Sequence, residues 1–384
     1  MKTRPQPAGR YLHCAGGYQA FIPAPLPPDI VWTAKLLRIL SDADRRIGQL
    51  AGEGRGLPNP HLLMRPFVKR EAVLSSRIEG TQATLGELLA ADAGAAVDRS
   101  PQDLREVANY VVALDHGIMR LKQSPLSLRL VKEVHAKLMR GVQGGVATPG
   151  EFRRSQNWIG PAGCTLNNAR YVPPPPDELM ACLGEWEKSL HDRSLPPLAQ
   201  AALMHYQFEA IHPFADGNGR VGRLLITLFL VERGILPTPL LYLSAFFEAT
   251  RREYYDRLWA VTASASWDDW LEYFLNGVAR MSEDALSRAE RINALMVLWR
   301  RKVAGTASRT PSRLVDMLAE NPYWTINKVA ERLDVAFTTA QRAVEKLESL
   351  DILKRATDSQ RGRVFCATAI MDILDEPAQL KPKA

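Results

Sequence analysis

The sequence predicts a mainly α-helical protein with a small β-hairpin and a separate C-terminal domain. Apolar residues recur at helical spacing through most of the 384 residues, and strand-like alternation is scarce before residue 141. A chain of this length usually forms two or more domains. The hydrophobic fraction of 46% is ordinary for a globular protein.

Composition and turn signals divide the chain into five parts. The first is rich in Pro and Gly and ends in PAPLPP, which predicts an extended arm with little structure of its own. Two helical regions follow, then a charged helical stretch that we expect to be an exposed connector. A small polar linker, VAGTASR, precedes the last domain. The predicted parts are residues 1–28, 29–125, 126–282, 283–308 and 309–384.

Charge and cysteine content narrow the class of protein. The net charge of +7 permits a polyanionic partner without requiring one, since the basic residues are scattered along the chain. The four cysteines lack CxxC spacing, so we expect a reduced, cytoplasmic protein without a disulfide framework or zinc site. No apolar run reaches 18 residues, and none follows the basic N-terminus. We therefore expect neither a membrane span nor a signal peptide.

The stretch from His212 to Arg223, HPFADGNGRVGR, concentrates residues suited to phosphate chemistry. Gly217 and Gly219 let the backbone turn sharply and let a ligand approach closely. The N–H groups of the turn and of the following helix start can bind an anion. Arg220 and Arg223 are three residues apart on one helix face, and guanidinium groups suit phosphate oxygens.

His212 and Asp216 lie at the lip of this predicted phosphate site. His212 is a candidate base, and Asp216 is a candidate Mg²⁺ ligand. A zinc pair on a helix is the alternative, but Pro213 and Gly217 disfavour a helix there, and no third His or Cys lies nearby. We therefore favour a phosphate-binding loop that leads into a buried helix.

A long irregular segment over residues 141–176 precedes this stretch and is rich in Gly, Pro and Asn. Loops of this length inside a compact domain are usually functional. Short extended runs at 158–159 and 170–172 flank a turn-prone centre, which predicts a small hairpin. An ordinary Pro-rich surface loop is the alternative.

After residue 309 the pattern is helix, helix, turn, helix and hairpin, which is the order of a winged helix-turn-helix. Thr325 is the predicted N-cap of the second helix. Acidic Glu345 and Glu348 share the third helix with basic residues, so DNA binding and protein contact both stay open. The candidate DNA contacts, some of them expected to bind phosphates, are Thr339, Arg342, Lys346, Arg361 and Arg363.

Residues 212–223 resemble the signature of the Fic family, HxFx(D/E)GNGRxxR, at every fixed position. The LPP region and the segments REAVLSSRIEGTQATL and EFRRSQNWIG are also similar to parts of Fic proteins. The resemblance extends over about residues 25–280. A C-terminal winged helix is a common companion in larger bacterial members.

The resemblance implies a protein adenylyltransferase, which moves AMP from ATP to a Ser, Thr or Tyr hydroxyl of a target protein and releases pyrophosphate. It makes His212 the catalytic base and Asp216 the Mg²⁺ ligand, and it places Arg223 on the γ-phosphate. The implied nucleotide-binding residues are Gly217, Asn218, Gly219, Arg220 and Arg223. The hairpin becomes a flap that pairs with the target through its main chain, and its candidate contacts are Ile159, Gly160, Tyr171 and Val172.

Ser75, Glu79 and Gly80 resemble a second Fic pattern, the inhibitory motif (S/T)xxxE(G/N). Taken alone, the stretch is a helix end that Gly80 suits as a C-cap. The resemblance implies that Glu79 pairs with Arg223 and occupies the γ-phosphate position. A charge-assisted pair contributes about 1.5–3 kcal/mol, enough to weaken ATP binding about tenfold or more. We therefore expect an autoinhibited enzyme.

Several alternatives stay open at this point. Glu79 could orient a water and remove AMP from a modified protein, or a different phosphoryl-containing group could be transferred. From another class, the protein could be a DNA-binding regulator whose nucleotide pocket only senses. A homodimer is an expectation from the resemblance alone.

Overall fold

The structure is a computed structural model that describes residues 7–56, 60–142, 148–161, 163–306, 308–356 and 363–380. It is mainly helical, as the sequence predicts, with two small antiparallel sheets. None of the helices in these ranges combines the length and apolar character needed to cross a bilayer. The helices before residue 304 are α1 (Ala34–Gly56), α2 (Pro60–Ile78), α3 (Leu85–Asp92), α4 (Pro101–Leu121), α5 (Leu128–Leu138), α6 (Pro176–His191), α7 (Pro197–Ile211), α8 (Asn218–Glu232), α9 (Ser244–Ala249), α10 (Arg251–Ser264) and α11 (Trp267–Val303).

Helices α7 and α8 form the centre of the helical core. Nearly every side chain of α7 from Leu198 to Ile211 is buried, and so is nearly every side chain of α8 up to Leu230. Helices that are apolar all round need neighbours on every side. The loop that joins α7 to α8 is therefore held between two fixed helices, and the signature stretch runs from this loop into the first turns of α8.

The N-terminal arm has more structure than the sequence predicts. Strands β1 (Gly9–His13) and β2 (Gln19–Pro23) form an antiparallel hairpin in which Tyr11 pairs with Phe21. Phe21 is buried, and its N–H donates to the Val172 carbonyl at 2.8 Å. The prediction of little structure is wrong for this part because packing against distant residues, which local composition does not report, orders it.

The prediction that residues 283–308 form an exposed connector is also wrong. Helix α11 runs unbroken through the predicted boundary at residues 282/283, and it packs along α1. Its charged residues Asp284 and Arg288 are buried and pair at 2.8 Å. Charges that satisfy each other inside the protein have the same sequence pattern as charges in water.

Residues 310–380, here named the C-terminal module, contain the predicted order of elements. The module comprises α12 (Thr310–Leu318), β3 (Tyr323–Thr325), α13 (Ile326–Leu333), α14 (Phe337–Ser349), β4 (Lys354–Arg355), β5 (Val364–Cys366) and α15 (Thr368–Asp375). Its sheet has the strand order β3–β5–β4. Thr325 caps α13 as predicted, because its hydroxyl accepts a hydrogen bond from the Lys328 N–H. Helix α15 was not predicted, and the winged helix assignment stays a prediction.

Candidate functional site

The loop between α7 and α8, residues 212–217, turns sharply at both ends. His212 follows α7 with a φ of 50°, and Gly217 precedes α8 with a φ of 79°. A Cβ at Gly217 would lie 2.9 Å from the Met139 sulfur, so glycine is required there by both conformation and space. Asn218 is buried, and its side chain makes hydrogen bonds of 2.8 Å to both the N–H and the carbonyl of Phe214. The Asn218 side chain therefore closes the loop. We expect Asn218 to contact nucleotide through its backbone alone.

The His212 imidazole is arranged as a base. Its Nδ1 lies 3.3 Å from the Glu209 carbonyl, one turn back on α7. Since a carbonyl can only accept, Nδ1 carries the proton and Nε2 carries the lone pair. Burial lowers the pKa of His212 to about 4, so the ring is neutral at pH 7. A neutral imidazole of this kind can take a proton from a hydroxyl group.

Arg153, which the sequence interpretation did not single out, fixes the backbone around His212. Its Nε donates to the His212 carbonyl at 2.9 Å, and its own N–H donates to the Pro213 carbonyl at 2.9 Å. Burial lowers its pKa to about 10, which leaves the guanidinium charged at pH 7. Asn157 adds a hydrogen bond to the Phe214 carbonyl at 3.0 Å. These bonds hold His212 in a left-handed conformation that is unfavourable by itself.

His135, on α5, supports the other end of the loop and was also missed. Its Nδ1 accepts from the Gly150 N–H at 2.9 Å, and its Nε2 lies 3.1 Å from the Asp216 carbonyl. Its ring stacks on Phe214 with centroids 3.7 Å apart. Burial lowers the pKa of His135 to about 4, so it acts as a neutral donor to the loop. A lone His on an amphipathic helix gives no sequence signal for this role.

The first turn of α8 already holds a carboxylate. Arg223 donates to Glu79 Oε1 at 2.6 Å, and a Cβ on Gly219 would lie only 2.2 Å from the same oxygen. Helix N-termini favour anions through their free N–H groups and dipole. Burial acts to raise the pKa of Glu79, but the charge of Arg223 outweighs it, so the pKa lies below its usual value. The structure therefore brings Glu79 and Arg223 together, as the resemblance implied.

Arg223 holds the end of α2 through more than Glu79. Its Nε donates to the Ser75 hydroxyl and its Nη2 to the Ser75 carbonyl, both at 2.9 Å. Gly80 follows with a φ of 107°, and its N–H donates to the Arg77 carbonyl. Ser75 therefore lies in the last turn of α2, and Glu79 and Gly80 directly follow that helix. We name residues 79–84 the inhibitory turn.

Arg220 points to a different carboxylate. Its Nη1 donates to Glu106 Oε2 on α4 at 3.0 Å, and the same oxygen accepts from the Thr81 hydroxyl at 3.1 Å. Both arginines of the signature therefore bind residues that precede it by more than 100 positions. Arg220 binds Glu106, and Arg223 binds Ser75 and Glu79. Glu106 was not predicted, because it lies 114 positions before Arg220 and no local pattern links them.

Asp216 lies at the mouth of the site. Its side chain is 55% exposed, and its Oδ1 accepts from the Gly217 N–H at 2.6 Å. Mg²⁺ keeps several waters and is commonly bound by one or two carboxylates together with phosphate oxygens. Among the described residues, no cluster of three or more His, Cys, Asp or Glu could hold a metal by itself. An exposed carboxylate such as Asp216 is the kind of ligand that Mg²⁺ takes together with phosphates, and its role as a Mg²⁺ ligand stays a prediction.

A cavity of about 360 Å³ opens beside the loop, between α7, α10 and the flap. Glu209 contributes a carboxyl group to it; its Oε1 has no hydrogen-bond partner, and burial raises its pKa to about 7. The other walls are mostly apolar or aromatic. The lining residues are Ile159, Gly160, Pro161, Arg170, Tyr171, Tyr206, Glu209, Ala210, Tyr255, Leu258, Trp259 and Thr262.

The predicted flap is paired at one position and anchored to the core. Ile159 and Tyr171 form an antiparallel bridge with N–H to carbonyl distances of 2.8 and 3.0 Å. The Tyr171 hydroxyl donates to the Ala210 carbonyl at 2.6 Å. Val172 is buried, and its carbonyl is taken by Phe21, so Val172 does not offer a free edge to a target. Both main-chain groups of Ile159 are taken by Tyr171 as well, so the exposed Gly160 stays the candidate for main-chain pairing, and Ile159, 40% exposed, offers its side chain.

The DNA candidates lie partly on one exposed face. Arg342 and Lys346 are exposed on α14, Thr339 is half-buried, and Arg363 directly precedes β5. Arg361 lies outside the described residues. Two acidic residues on α14 interrupt the basic face, and one of them, Glu348, pairs with Arg355 at 3.0 Å. DNA binding stays a prediction.

Comparison with known proteins gives the family. Residues 37–119 match the family model "Fic/DOC family N-terminal", and residues 125–230 match "Fic/DOC family". This chain therefore contains the N-terminal domain and the Fic domain of the Fic/DOC family. Over 166 residues it is 34% identical to "Protein adenylyltransferase Fic" of Drosophila virilis and 32% identical to that of Drosophila melanogaster. Each match covers 42% of this chain and 32% of the relative, so the chain spans about a third of the length of the curated relatives it matches.

Solved structures show the same fold. A Fic family protein from Desulfovibrio desulfuricans superposes over 89% of this chain and 98% of its own, with a TM-score of 0.60 and 20% identity. At that identity the likeness concerns the fold alone. It extends the likeness in fold beyond the two matched segments of sequence.

Proposed function

We propose that this Fic protein is a protein adenylyltransferase that is held inactive by its own Glu79. One observation supports this above all others. An ionised carboxylate lies between Arg223 and the first turn of α8, where a phosphate group fits, while the neutral His212 stands at the start of the same loop. The name shared by the curated relatives supports the same reaction class.

In the proposed reaction a target hydroxyl attacks the α-phosphorus of ATP. His212 Nε2 takes the hydroxyl proton as the new P–O bond forms, and the bond to the leaving pyrophosphate breaks. Backbone N–H groups at the start of α8 and the guanidinium of Arg220 stabilise the charge on the phosphates. Asp216 would hold Mg²⁺, which would supply neutralisation of phosphate charge. A positioned base such as His212 typically contributes about 10²–10⁴ in rate.

The cavity beside the loop is the proposed place for the nucleoside. Its volume of about 360 Å³ and its aromatic walls at Tyr255 and Trp259 suit a planar base next to the phosphate site. The flap at Ile159 and Gly160 closes one side, and a target segment would pair with its main chain next to Ile159, at Gly160.

Labelled nucleotides test the reaction. Cell lysate is incubated with the Glu79→Gly variant and either α-labelled or γ-labelled ATP. The proposal predicts labelled protein with the α label alone, because the γ-phosphate leaves with pyrophosphate. Adding His212→Ala to the same variant should remove the signal. Incorporation of the γ label would instead indicate phosphate transfer, and mass spectrometry of the adduct would identify any other group.

Removal of AMP is a second candidate, and one observation favours it. Arg223 lowers the pKa of Glu79, so the carboxylate is ionised and able to orient a water molecule. A target modified by the Glu79→Gly variant is then incubated with the wild-type protein without ATP. Loss of label with wild type, but not with Glu79→Gly, would favour removal over addition.

The C-terminal module has a proposed binding function that is separate from catalysis. Arg342 and Lys346 are exposed on α14 and suit contact with DNA phosphates. A mobility shift of a DNA duplex by the full chain, weakened by salt and by Arg342→Gln, is the expected result. Absence of a shift at low salt would refute DNA binding by this face.

A further inference from the structure

The C-terminal module contacts both helices that flank the inhibitory turn. Helix α2 ends just before the turn and α3 begins just after it. On the α3 side, Asn321 Nδ2 donates to the Leu89 carbonyl at 3.1 Å, and the Thr325 hydroxyl donates to the Ala93 carbonyl at 3.2 Å. Both donors are 8% exposed. The Leu89 carbonyl also accepts from the Ala93 N–H at 3.1 Å, and the Ala93 carbonyl lies at the C-cap just beyond the helix, so both contacts fix the C-terminal end of α3.

The same module is bound to α2 through Arg70. This guanidinium is 6% exposed and donates to the Leu374 and Glu376 carbonyls at the end of α15. Arg288 of α11 binds the same helix end, donating to the Glu376 carbonyl at 3.0 Å. A helix C-terminus carries partial negative charge, which suits two buried cations. The module is therefore fixed to α2 and α11 at one end and to α3 at the other.

The inhibitory turn cannot move far while both flanking helices are held. Lys69 of α2 pairs with Asp92 of α3 at 2.6 Å, so the two helices are also tied to each other. Glu71 fixes the middle of α2 to the core, because its Oε2 accepts from the Ser244 N–H at 3.0 Å. Helix α3 and the turn are consequently the parts that can shift. Their outer support comes from Asn321 and Thr325.

We propose that the C-terminal module is an intramolecular brace that holds α3 in place and thereby keeps Glu79 on Arg223. Release of the module from α3 lets the turn open and exposes the phosphate site. A molecule that binds the module and pulls it from α3 would then activate the enzyme. This inference rests on the proposed inhibitory role of Glu79.

Asn321→Asp tests the brace with little change in shape. The substitution keeps the Oδ1 that accepts from the Tyr323 N–H, but it replaces the donor to Leu89 with a second acceptor. Arg300→Gln is the matched control, since Arg300 binds the module to α11 through Asp316 at 2.7 Å and is not part of the α3 contact. Arg70→Lys is a second variant that keeps the charge and loses the forked contact with α15.

Hydrogen exchange of the full chain reads the turn without relying on activity. The N–H groups of Glu79, Gly80 and Thr81 are protected by carbonyls of Ser76 and Arg77. We expect their exchange to rise about tenfold in Asn321→Asp and Arg70→Lys, and to stay within about twofold of wild type in Arg300→Gln. If the Ala93 N–H exchanges faster in Asn321→Asp but residues 79–81 do not, the contact is broken without effect, and the brace is refuted.

ATP binding then separates the brace from the role of Glu79. Asn321→Asp should tighten ATP binding about fivefold in the wild-type background and not at all when combined with Glu79→Gly. Equal tightening in both backgrounds would contradict the brace. If Glu79→Gly alone leaves ATP affinity unchanged, the proposed inhibition fails, while the exchange data still decide whether the module holds the turn.

Discussion

The signature stretch, residues 212–223, and the inhibitory turn meet at one ion pair but are held in different ways. Arg223, in the first turns of α8, is 2% exposed and bonded at three points, whereas the Glu79 side chain is 35% exposed. The cation is therefore fixed and the anion is exchangeable. A site built in this way can be complete and still be closed by a group that a nucleotide can replace.

The contacts that support the two regions differ in the same way, because the signature stretch is held more firmly than the turn. The loop is bonded from within by Asn218 and from outside by the buried groups Arg153 and His135. The turn depends on contacts with distant segments, including Glu106 through Thr81 and the C-terminal module through α3. Under the proposed function, rigid catalytic groups lie next to a displaceable inhibitor, which suits an enzyme that must be switched without rebuilding its active site.

Removing the base should have the largest effect on the rigid region. In the Glu79→Gly background, His212→Ala is expected to lower transfer of α-labelled AMP by about 10²–10⁴, the range for a positioned base. His116→Ala is the control, because His116 pairs with Glu133 on the surface. Transfer that survives His212→Ala would show that the loop does not supply the base.

Loosening the loop without touching its chemistry should have an intermediate effect. His135→Phe keeps a ring against Phe214 but leaves the Gly150 N–H and the Asp216 carbonyl without their partner. We expect a loss of about 1–3 kcal/mol in the free energy of unfolding, measured in urea, together with slower transfer. Unchanged transfer in a folded His135→Phe variant would mean that the loop is rigid without this support.

The link from Arg220 to the N-terminal region should have a smaller effect. Glu106→Gln keeps an oxygen for Arg220 but removes the charge, and one hydrogen bond to a charged group is worth about 1.5–3 kcal/mol at most. We expect the KM for ATP to change by about threefold in the Glu79→Gly background. A loss as large as that of His212→Ala would place Glu106 in the rigid region instead.

A change of pH near neutrality should have the smallest effect of these tests on activity. His212 must be neutral to act as a base, and burial lowers its pKa to about 4. The kcat/KM of Glu79→Gly should therefore stay nearly level as pH falls through 6.5 and decline only near pH 4. The contribution of the neutral His212 ring to the free energy of unfolding is fully present above its pKa in the unfolded chain, near 6.5. This contribution is lost as pH falls towards 4. A midpoint near 6.5 would mean that the ring is solvated in the active form.

The sequence predicts the loop better than its supports, and the reason is locality. Residues 212–223 carry glycine, charge and spacing signals within a dozen positions, so their conformation and anion site can be inferred. Arg153, His135 and Glu106 act through contacts across 59, 81 and 114 positions. No periodicity or turn chemistry records such contacts.

Burial explains the errors in the fold. The charged stretch within residues 283–308 predicts an exposed connector, yet its Asp284 and Arg288 satisfy each other inside the protein. The arm was expected to lack structure because it is rich in Pro and Gly, yet Phe21 is buried and bonded to Val172. In both cases a tertiary partner overrides the local composition.

The central claim is that Glu79 occupies the site of the terminal phosphate, and calorimetric binding of ATP and AMP tests it most directly. Glu79→Gly should bind ATP about tenfold or more tightly than wild type. Glu248→Gln, which removes the charge that faces Arg77 at 4.0 Å, should bind ATP as wild type does. AMP affinity should be equal in all three proteins, because AMP lacks the phosphate that competes with Glu79. Equal ATP affinity in wild type and Glu79→Gly, or tightening of AMP as large as that of ATP, would contradict the account.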